Sequence, residues 1–406
     1  MLENKSMEEY AYERPFVSEV LNGLGRKKRL LQIITGPRQV GKTTAALQIA
    51  AKWNGPVIHA SADLPLPPEP EWVLSHWNRA EAEAKRARDE NREPLLILDE
   101  VQKVKGWSEV VKALWDKSYR DNLPIQVIIL GSSSLLIQKG LSESLAGRFF
   151  LYRCPHWTFS EMEQAFSWDL EQWVFFGGYP GAAPFIDQED VWSRYVMDSL
   201  VETVLAKDVL QLQTISKPAL LRHLFMLSVV HPAQILSYNK MLGQLQDAGN
   251  TTTLAHYLKL LETAFLISGL DLFKGGIQRK RGNSPKLIIW NNGLINALTG
   301  DSLSTSRSNY SWWGRLVENA VGAHLLNHLG GIPYSVYYWR HKNLEVDFVV
   351  KTPKQMWGIE VKSGKPKNPK GIAGFLRMYP DARTLTVGSE DMPVETFFRT
   401  DPRDLF

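Results

Sequence analysis

Leu30-Leu31-Gln32-Ile33-Ile34-Thr35-Gly36-Pro37-Arg38-Gln39-Val40-Gly41-Lys42-Thr43-Thr44 decides how the rest of the chain is read. An apolar run stops at a glycine, and Gly41, Lys42 and Thr43 complete the pattern G-x-x-x-x-G-K-[ST] of a phosphate-binding loop between a buried strand and a helix. The helix-forming run Ala45, Ala46, Leu47, Ile49, Ala50 follows, so both flanks suit the motif. In such a loop the backbone N–H groups of residues Gly36, Pro37, Arg38, Gln39, Val40, Gly41, Lys42, Thr43 and Thr44, proline excepted, are available to curl around a triphosphate. Lys42 supplies a point charge to the β- and γ-phosphates. The Thr43 hydroxyl is placed to ligate Mg²⁺, and the helix N-terminus adds partial positive charge.

The composition bounds the alternatives. A chain of 406 residues holds roughly two to four domains. Hydrophobic residues at 44% and charged residues at 22% are ordinary for a globular protein. A net charge of +4 and a pI near 8.9 permit a nucleic-acid partner without requiring one. The single cysteine, Cys154, excludes an internal disulfide and a cysteine-rich metal site, and fits a reducing compartment. No run approaches about 18 apolar residues. The first ten residues are polar and acidic, without the apolar core of a signal peptide. The expectation is a cytoplasmic protein with no membrane partner.

The first domain is expected over residues 1–155. A strand candidate at Pro56–Ala60 precedes a proline-rich loop (Leu64–Pro70) and a charged helix over Arg79–Arg92. Leu95-Leu96-Ile97-Leu98 then runs into Asp99-Glu100. A buried parallel strand delivers such acids at its C-terminal end, where ligands of open α/β sheets bind. Asp99 is the candidate to hold Mg²⁺ through water, and Glu100 the candidate general base for the attacking water. An arginine beside a γ-phosphate stabilises developing charge. By its order along the chain Arg148 is the candidate, although an arginine that merely caps a strand fits the same spacing.

Adjacent acids on a strand after the phosphate loop resemble the additional-strand, catalytic-glutamate class of ATPases. A third strand, Ile125–Leu130, ends in Gly131-Ser132-Ser133-Ser134. The resemblance implies Ser132 as the polar residue between phosphate and water, with Ser133 and Ser134 left open and helix capping an equal alternative. Taken in order, G-P-R-Q-V-G-K-T-T (36–44), L-D-E-V-Q-K-V (98–104), L-G-S-S-S (130–134) and L-A-G-R (145–148) resemble the AAA-type ATPases of archaea and bacteria that carry a C-terminal domain of unknown function (DUF4143). The resemblance covers the whole chain. It implies an α/β P-loop NTPase core with a parallel sheet, then a helical and winged-helix region, then an α/β nuclease-like domain, with ATP and Mg²⁺ as ligands.

Residues 156–216 are expected as a helical lid, with a breaker cluster at Gly177–Gly181. Residues 217–286 read as a winged helix. A helix starts at Pro218 and ends before Pro232, and a shorter one covers about 239–245. In the third, Leu254, Tyr257, Leu258, Leu261 and Phe265 make an apolar stripe. Its other face shows Thr252, His256 and Lys259, which could reach a groove or phosphates. A wing over Phe265–Phe273 returns through Arg279, Lys280 and Arg281, and Lys286 completes a basic group. DNA is the expected partner of this face; packing within the protein is the alternative.

Residues 287–406 hold a third constellation. Leu344–Val350 and Met356–Lys362 read as strands joined by a turn, with Glu318 on a preceding helix. A symmetric hairpin centred between Pro353 and Lys354 sets Asp347 opposite Glu360 and Glu345 opposite Lys362, all on one face. Opposed carboxylates need neutralising, and Mg²⁺ or Mn²⁺ would do it, with Lys362 close enough to assist. Asp347 followed by Glu360-x-Lys362 resembles the PD-(D/E)XK nuclease pattern. That resemblance implies Asp347 and Glu360 as metal ligands, Glu318 as a further ligand and Lys362 as charge stabiliser. Cross-strand ion pairing, or a nuclease-derived fold that cleaves nothing, are the alternatives, and Asn291-Asn292 stands where such chains often carry an aspartate. Two functions follow: an ATP-driven switch on DNA with possible metal-dependent cleavage, or a regulatory ATPase that binds a protein partner.

Overall fold

The computed structural model describes residues 12–26, 29–86, 92–131, 144–209, 215, 217–245, 249–275, 284–331, 333–362 and 370–406. Two compact units divide the chain, Met1–Pro155 and His156–Phe406.

Five strands build the first unit: β1 (Leu31–Thr35), β2 (Val57–Ser61), β3 (Leu95–Asp99), β4 (Gln126–Gly131) and β5 (Phe149–Arg153). All neighbours are parallel, in the order β2-β3-β4-β1-β5. The three central strands are buried at every position. That is why their sequences are unbroken apolar runs rather than alternations. The β2 and β5 edges are partly exposed. Because β4 lies between β1 and β3, a strand is inserted between the two motif-bearing ones. Helices α1 (Pro15–Leu24), α2 (Lys42–Lys52), α3 (Glu71–Arg86) and α4 (Trp107–Arg120) flank the sheet.

The charged helix begins at Glu71 rather than Arg79. Its charges are an outer face only: Val73, Trp77, Ala80 and Ala84 form a fully buried stripe. Glu81, on the same face, is buried and bridged by Lys117 at 3.0 Å and the Ser118 hydroxyl at 3.0 Å.

In the second unit, helices α5 (Phe159–Phe166) and α6 (Leu170–Phe176) open with capping boxes at Thr158/Glu161 and Asp169/Gln172. After α7 (Glu189–Arg194) come α8 (Pro218–Val229), α9 (Tyr238–Gln244) and α10 (Thr251–Thr263), the last capped by Asn250. A two-stranded antiparallel ribbon, β6 (Ile267–Leu270) with β7 (Lys286–Ile289), follows. Residue 287, where the C-terminal constellation is expected to begin, therefore lies within the ribbon's second strand. β7 is buried at all four positions.

Helices α11 (Gly293–Thr299), α12 (Leu303–Ser308) and α13 (Tyr310–Leu329) lead into a second sheet. It contains β8 (Ser335–His341), β9 (Leu344–Lys351), β10 (Met356–Val361) and β11 (Arg383–Val387), in the order β11-β10-β9-β8. β8, β9 and β10 are antiparallel neighbours, and β11 returns parallel to β10 after α14 (Lys370–Met378). Short helices α15 (Val394–Arg399) and α16 (Pro402–Leu405) close the chain.

Candidate nucleotide site and a carboxylate cluster

The phosphate loop leaves β1 through Gly36, where a side chain would meet the Cys154 carbonyl oxygen at 2.0 Å. Gly41, at φ +86°, occupies the left-handed region and caps α2 without a side chain. Those two positions admit little but glycine. Arg14 braces the loop from outside: its buried guanidinium donates to the Val40 carbonyl at 3.2 Å and to the Cys154 sulfur at 3.1 Å.

Lys42 is buried, and its ammonium donates to the Gly36 and Pro37 carbonyls at 3.1 and 2.6 Å. Burial lowers its pKa, while Cys154, Glu100 and Asp99 pull the other way. Thr43 is exposed at the first turn of α2, and its hydroxyl donates to Asp99 Oδ2 at 2.7 Å. A hydroxyl and a carboxylate on adjoining oxygens are the donor chemistry that Mg²⁺ prefers, so these residues fit the ion. Glu100 follows at φ +53°, a strained conformation that turns the chain out of β3. Gln102 Nε2 holds Glu100 Oε2 at 2.6 Å. Neither Arg14 nor Gln102 carries a sequence signal, since each acts through the fold alone.

Arg148 lies elsewhere. The register Leu31↔Phe149 puts it at the N-terminal end of β5, beside the start of β1. The phosphate loop leaves β1 at the other end, about 17 Å away for a strand of this length. Its guanidinium forms a two-pronged pair with Asp116, at 2.7 and 2.9 Å. The parallel register therefore sets Arg148 away from its own chain's phosphate loop, and its pairing at a strand start suits the capping alternative. Ser132 lies outside the described residues.

On α10, Thr252, His256 and Lys259 are exposed on one face, and Lys259 pairs with Glu262 at 2.5 Å. Arg279, Lys280 and Arg281 lie outside the described residues. Lys286 does not join them on a surface: it is fully buried.

Lys286 instead sits among the carboxylates expected to hold a metal. Its ammonium is 2.5 Å from Glu318 Oε1, 3.6 Å from Asp347 Oδ1 and 3.7 Å from Glu345 Oε1, and it donates to the Asp347 carbonyl at 3.2 Å. Burial works to lower the Lys286 pKa, but Glu318, Asp347 and Glu345 outweigh it and raise it. Burial pushes Glu318 up to about 7, with Lys286 opposing. The hairpin pairs Met356 with Lys351 and Ile359 with Phe348. One step further, this register sets Asp347 opposite Glu360, as the symmetric hairpin requires. Asp347 Oδ2 accepts the Val361 N–H at 2.8 Å, and Lys362 is paired with Glu360. Burial, then Asp347, raises the Glu360 pKa. The carboxylates Asp347, Glu360 and Glu318 are thus gathered, with the Lys286 ammonium among them. Among the described residues no group of three or more His, Cys, Asp or Glu side chains has metal-holding geometry. Ammonium groups neutralise the acids instead.

Asn291 and Asn292 are structural. The Asn291 side-chain oxygen accepts the Gly178 and Gly293 N–H groups at 3.1 and 3.0 Å. Asn292 donates to the Val174 and Leu316 carbonyls at 2.8 and 2.9 Å. Asn319 closes the network on the Ile289 backbone and Asn292. An aspartate has no N–H to offer the carbonyls that Asn292 satisfies.

Residues 28–163 match an AAA domain, residues 167–305 a domain of unknown function (DUF8612) and residues 313–398 another (DUF4143). An uncharacterised protein of Mycobacterium tuberculosis is 28% identical over 340 residues, covering 81% of this chain and 69% of that one. One of Haemophilus influenzae is 21% identical over 372 residues, covering 88% of each. A Walker-type ATPase of Pyrococcus abyssi shares the fold at a TM-score of 0.50 and 14% identity, over 74% of this chain and 99% of that one. No helix among the described residues is long and apolar enough to cross a membrane. The first unit of this chain therefore has the fold of an AAA-type P-loop ATPase domain.

Proposed function

We propose that the protein binds ATP with Mg²⁺ at the loop Gly36–Thr44, hydrolyses it, and works as a nucleotide switch. The observation that carries this reading is the convergence of Lys42, Thr43, Asp99 and Glu100 at the C-terminal ends of β1 and β3, with Thr43 and Asp99 hydrogen-bonded at 2.7 Å. Phosphate oxygens would replace the Gly36 and Pro37 carbonyls as partners of the Lys42 ammonium. Thr43 and Asp99 would hold Mg²⁺, which would supply positive charge against the phosphates. Glu100 orients the attacking water and takes its proton. The buried walls of β1, β3 and β4 strengthen each of these interactions by excluding water.

The test is steady-state phosphate release from ATP by the full chain and by Lys42→Ala. Turnover in the parent, reduced about 10²–10³-fold in the variant, is expected. Equal rates in both would overturn the reading.

For the partner, the exposed Thr252, His256 and Lys259 on one face of α10 support duplex DNA, reached through the phosphates. Binding that weakens with salt, and weakens further in Lys259→Ala, is expected. DNA binding absent at low salt would leave a protein partner and a regulatory ATPase.

A further inference from the structure

We infer that Lys286 is the resident cation of the Glu318–Glu345–Asp347–Glu360 cluster: its ammonium takes the place a divalent ion would fill, so this face of the C-terminal domain holds no metal and cuts no phosphodiester. The inference concerns the second unit alone and is independent of ATP hydrolysis.

Position comes first. The ammonium is within 3.7 Å of three carboxylates from two elements: Glu318 on α13, and Glu345 and Asp347 on β9. It is also bonded to the Asp347 carbonyl and lies 5.0 Å from the centre of the Phe348 ring, on the ring's face. Such close surrounding by oxygens and a π-face is what a buried ammonium requires. A metal ion drawn to Asp347 would meet this positive charge at the same oxygens.

Lys286 is also anchored. Its backbone pairs with Leu270 on one side and Ile235 on the other. The next residue, Leu287, donates to Gln234 and accepts from Ala233, both at 2.9 Å. Asn319 clamps Ile289 on both its N–H and its carbonyl, at 3.0 and 2.8 Å. The side chain is fully buried. A lysine fixed this way is part of the core, unlike a surface lysine that swings aside for an incoming ion.

The remaining charges agree. Lys362 covers Glu360, and Asp347 Oδ2 is taken by the Val361 N–H. Four carboxylates thus face two ammonium groups and a backbone donor. Removing Lys286 would uncover a site of the oxygen type that Mn²⁺ and Mg²⁺ favour.

The experiment measures Mn²⁺ bound per chain by electron paramagnetic resonance, on the full chain without nucleotide. The parent, and Asp347→Asn in the parent background, should bind Mn²⁺ equally, with no site that depends on Asp347. Lys286→Met should gain an Mn²⁺ site at least about tenfold tighter than any in the parent, and Lys286→Met combined with Asp347→Asn should lose it. An Asp347-dependent Mn²⁺ site in the parent would overturn the inference. So would a folded Lys286→Met protein that gains no site. Should Lys286→Met not fold, Lys286→Met with Glu318→Gln removes one charge of each sign and keeps an oxygen at position 318, and the same two outcomes decide. Plasmid cleavage in Mn²⁺ by the parent, lost in Asp347→Asn, would equally overturn it.

Discussion

Thr43 Oγ1 donates to Asp99 Oδ2 at 2.7 Å, tying the first turn of α2 to the end of β3 across an intervening strand. The phosphate loop and the acid pair are thereby one site. Asp99→Asn keeps an oxygen near Thr43 but removes the charge. It is expected to lower the Mg²⁺ dependence and the rate of ATP turnover together. Glu100→Gln is expected to lower kcat by about 10²–10⁴-fold while nucleotide binding stays near that of the parent. Phosphate release and nucleotide titration, run side by side, separate the two. A Glu100→Gln protein that turns over at the parent rate would move the general base elsewhere.

Arg148 belongs to the opposite end of the sheet, in a partly exposed pair with Asp116. Arg148→Ala should cost no more than about 1 kcal/mol of stability. Measured at high dilution, its turnover should match the parent's. A loss of rate that appears only as protein concentration rises would instead place Arg148 against a neighbouring molecule's nucleotide.

His324 is buried in the second unit, in edge contact with Phe397 and Phe398, and its Nε2 meets the Thr400 carbonyl at 3.1 Å. Burial, with His328 adding to it, depresses its pKa well below 6.5. The folded state keeps the ring neutral where the unfolded chain would protonate it. Protons therefore favour the unfolded state below the ordinary histidine range, and stability must fall as pH drops from about 6.5, at up to about 1.4 kcal/mol per unit for one such group. Urea midpoints between neutral and mildly acidic pH should show this slope. His324→Asn should reduce it, and an unchanged slope would assign it to other groups.

Asn319 is fully buried and makes three hydrogen bonds, to both polar groups of Ile289 and to Asn292. Asn319→Leu keeps the branched shape but orphans all three partners, and should cost about 3 kcal/mol or more. The loss should register in the cooperative unfolding of the second unit, leaving nucleotide binding by the first in place. A neutral result would mean that water enters to replace the amide.

How much was legible from the chain depended on range. The strand–loop–helix around Lys42, the acids ending β3, the apolar run of β4 and the β9–β10 register are set by short-range rules: apolar runs, glycine-permitted turns and period-two alternation. Each is contained within a few neighbouring residues, so the sequence alone determined them. The start of α3 was masked because its buried stripe shares the helix with an outer face dense in charge. Arg148, Lys286 and Asn292 were decided only by tertiary structure. A parallel register carried Arg148 away from the loop it follows in the chain. Lys286, which in sequence closes a basic run, is brought by β7 into a group of acids drawn from α13 and β9. Asn292 faces carbonyls of two helices that precede and follow it. Local patterns specify what a residue can do, whereas long-range packing specifies the charges it meets, and at these positions the second governs the chemistry.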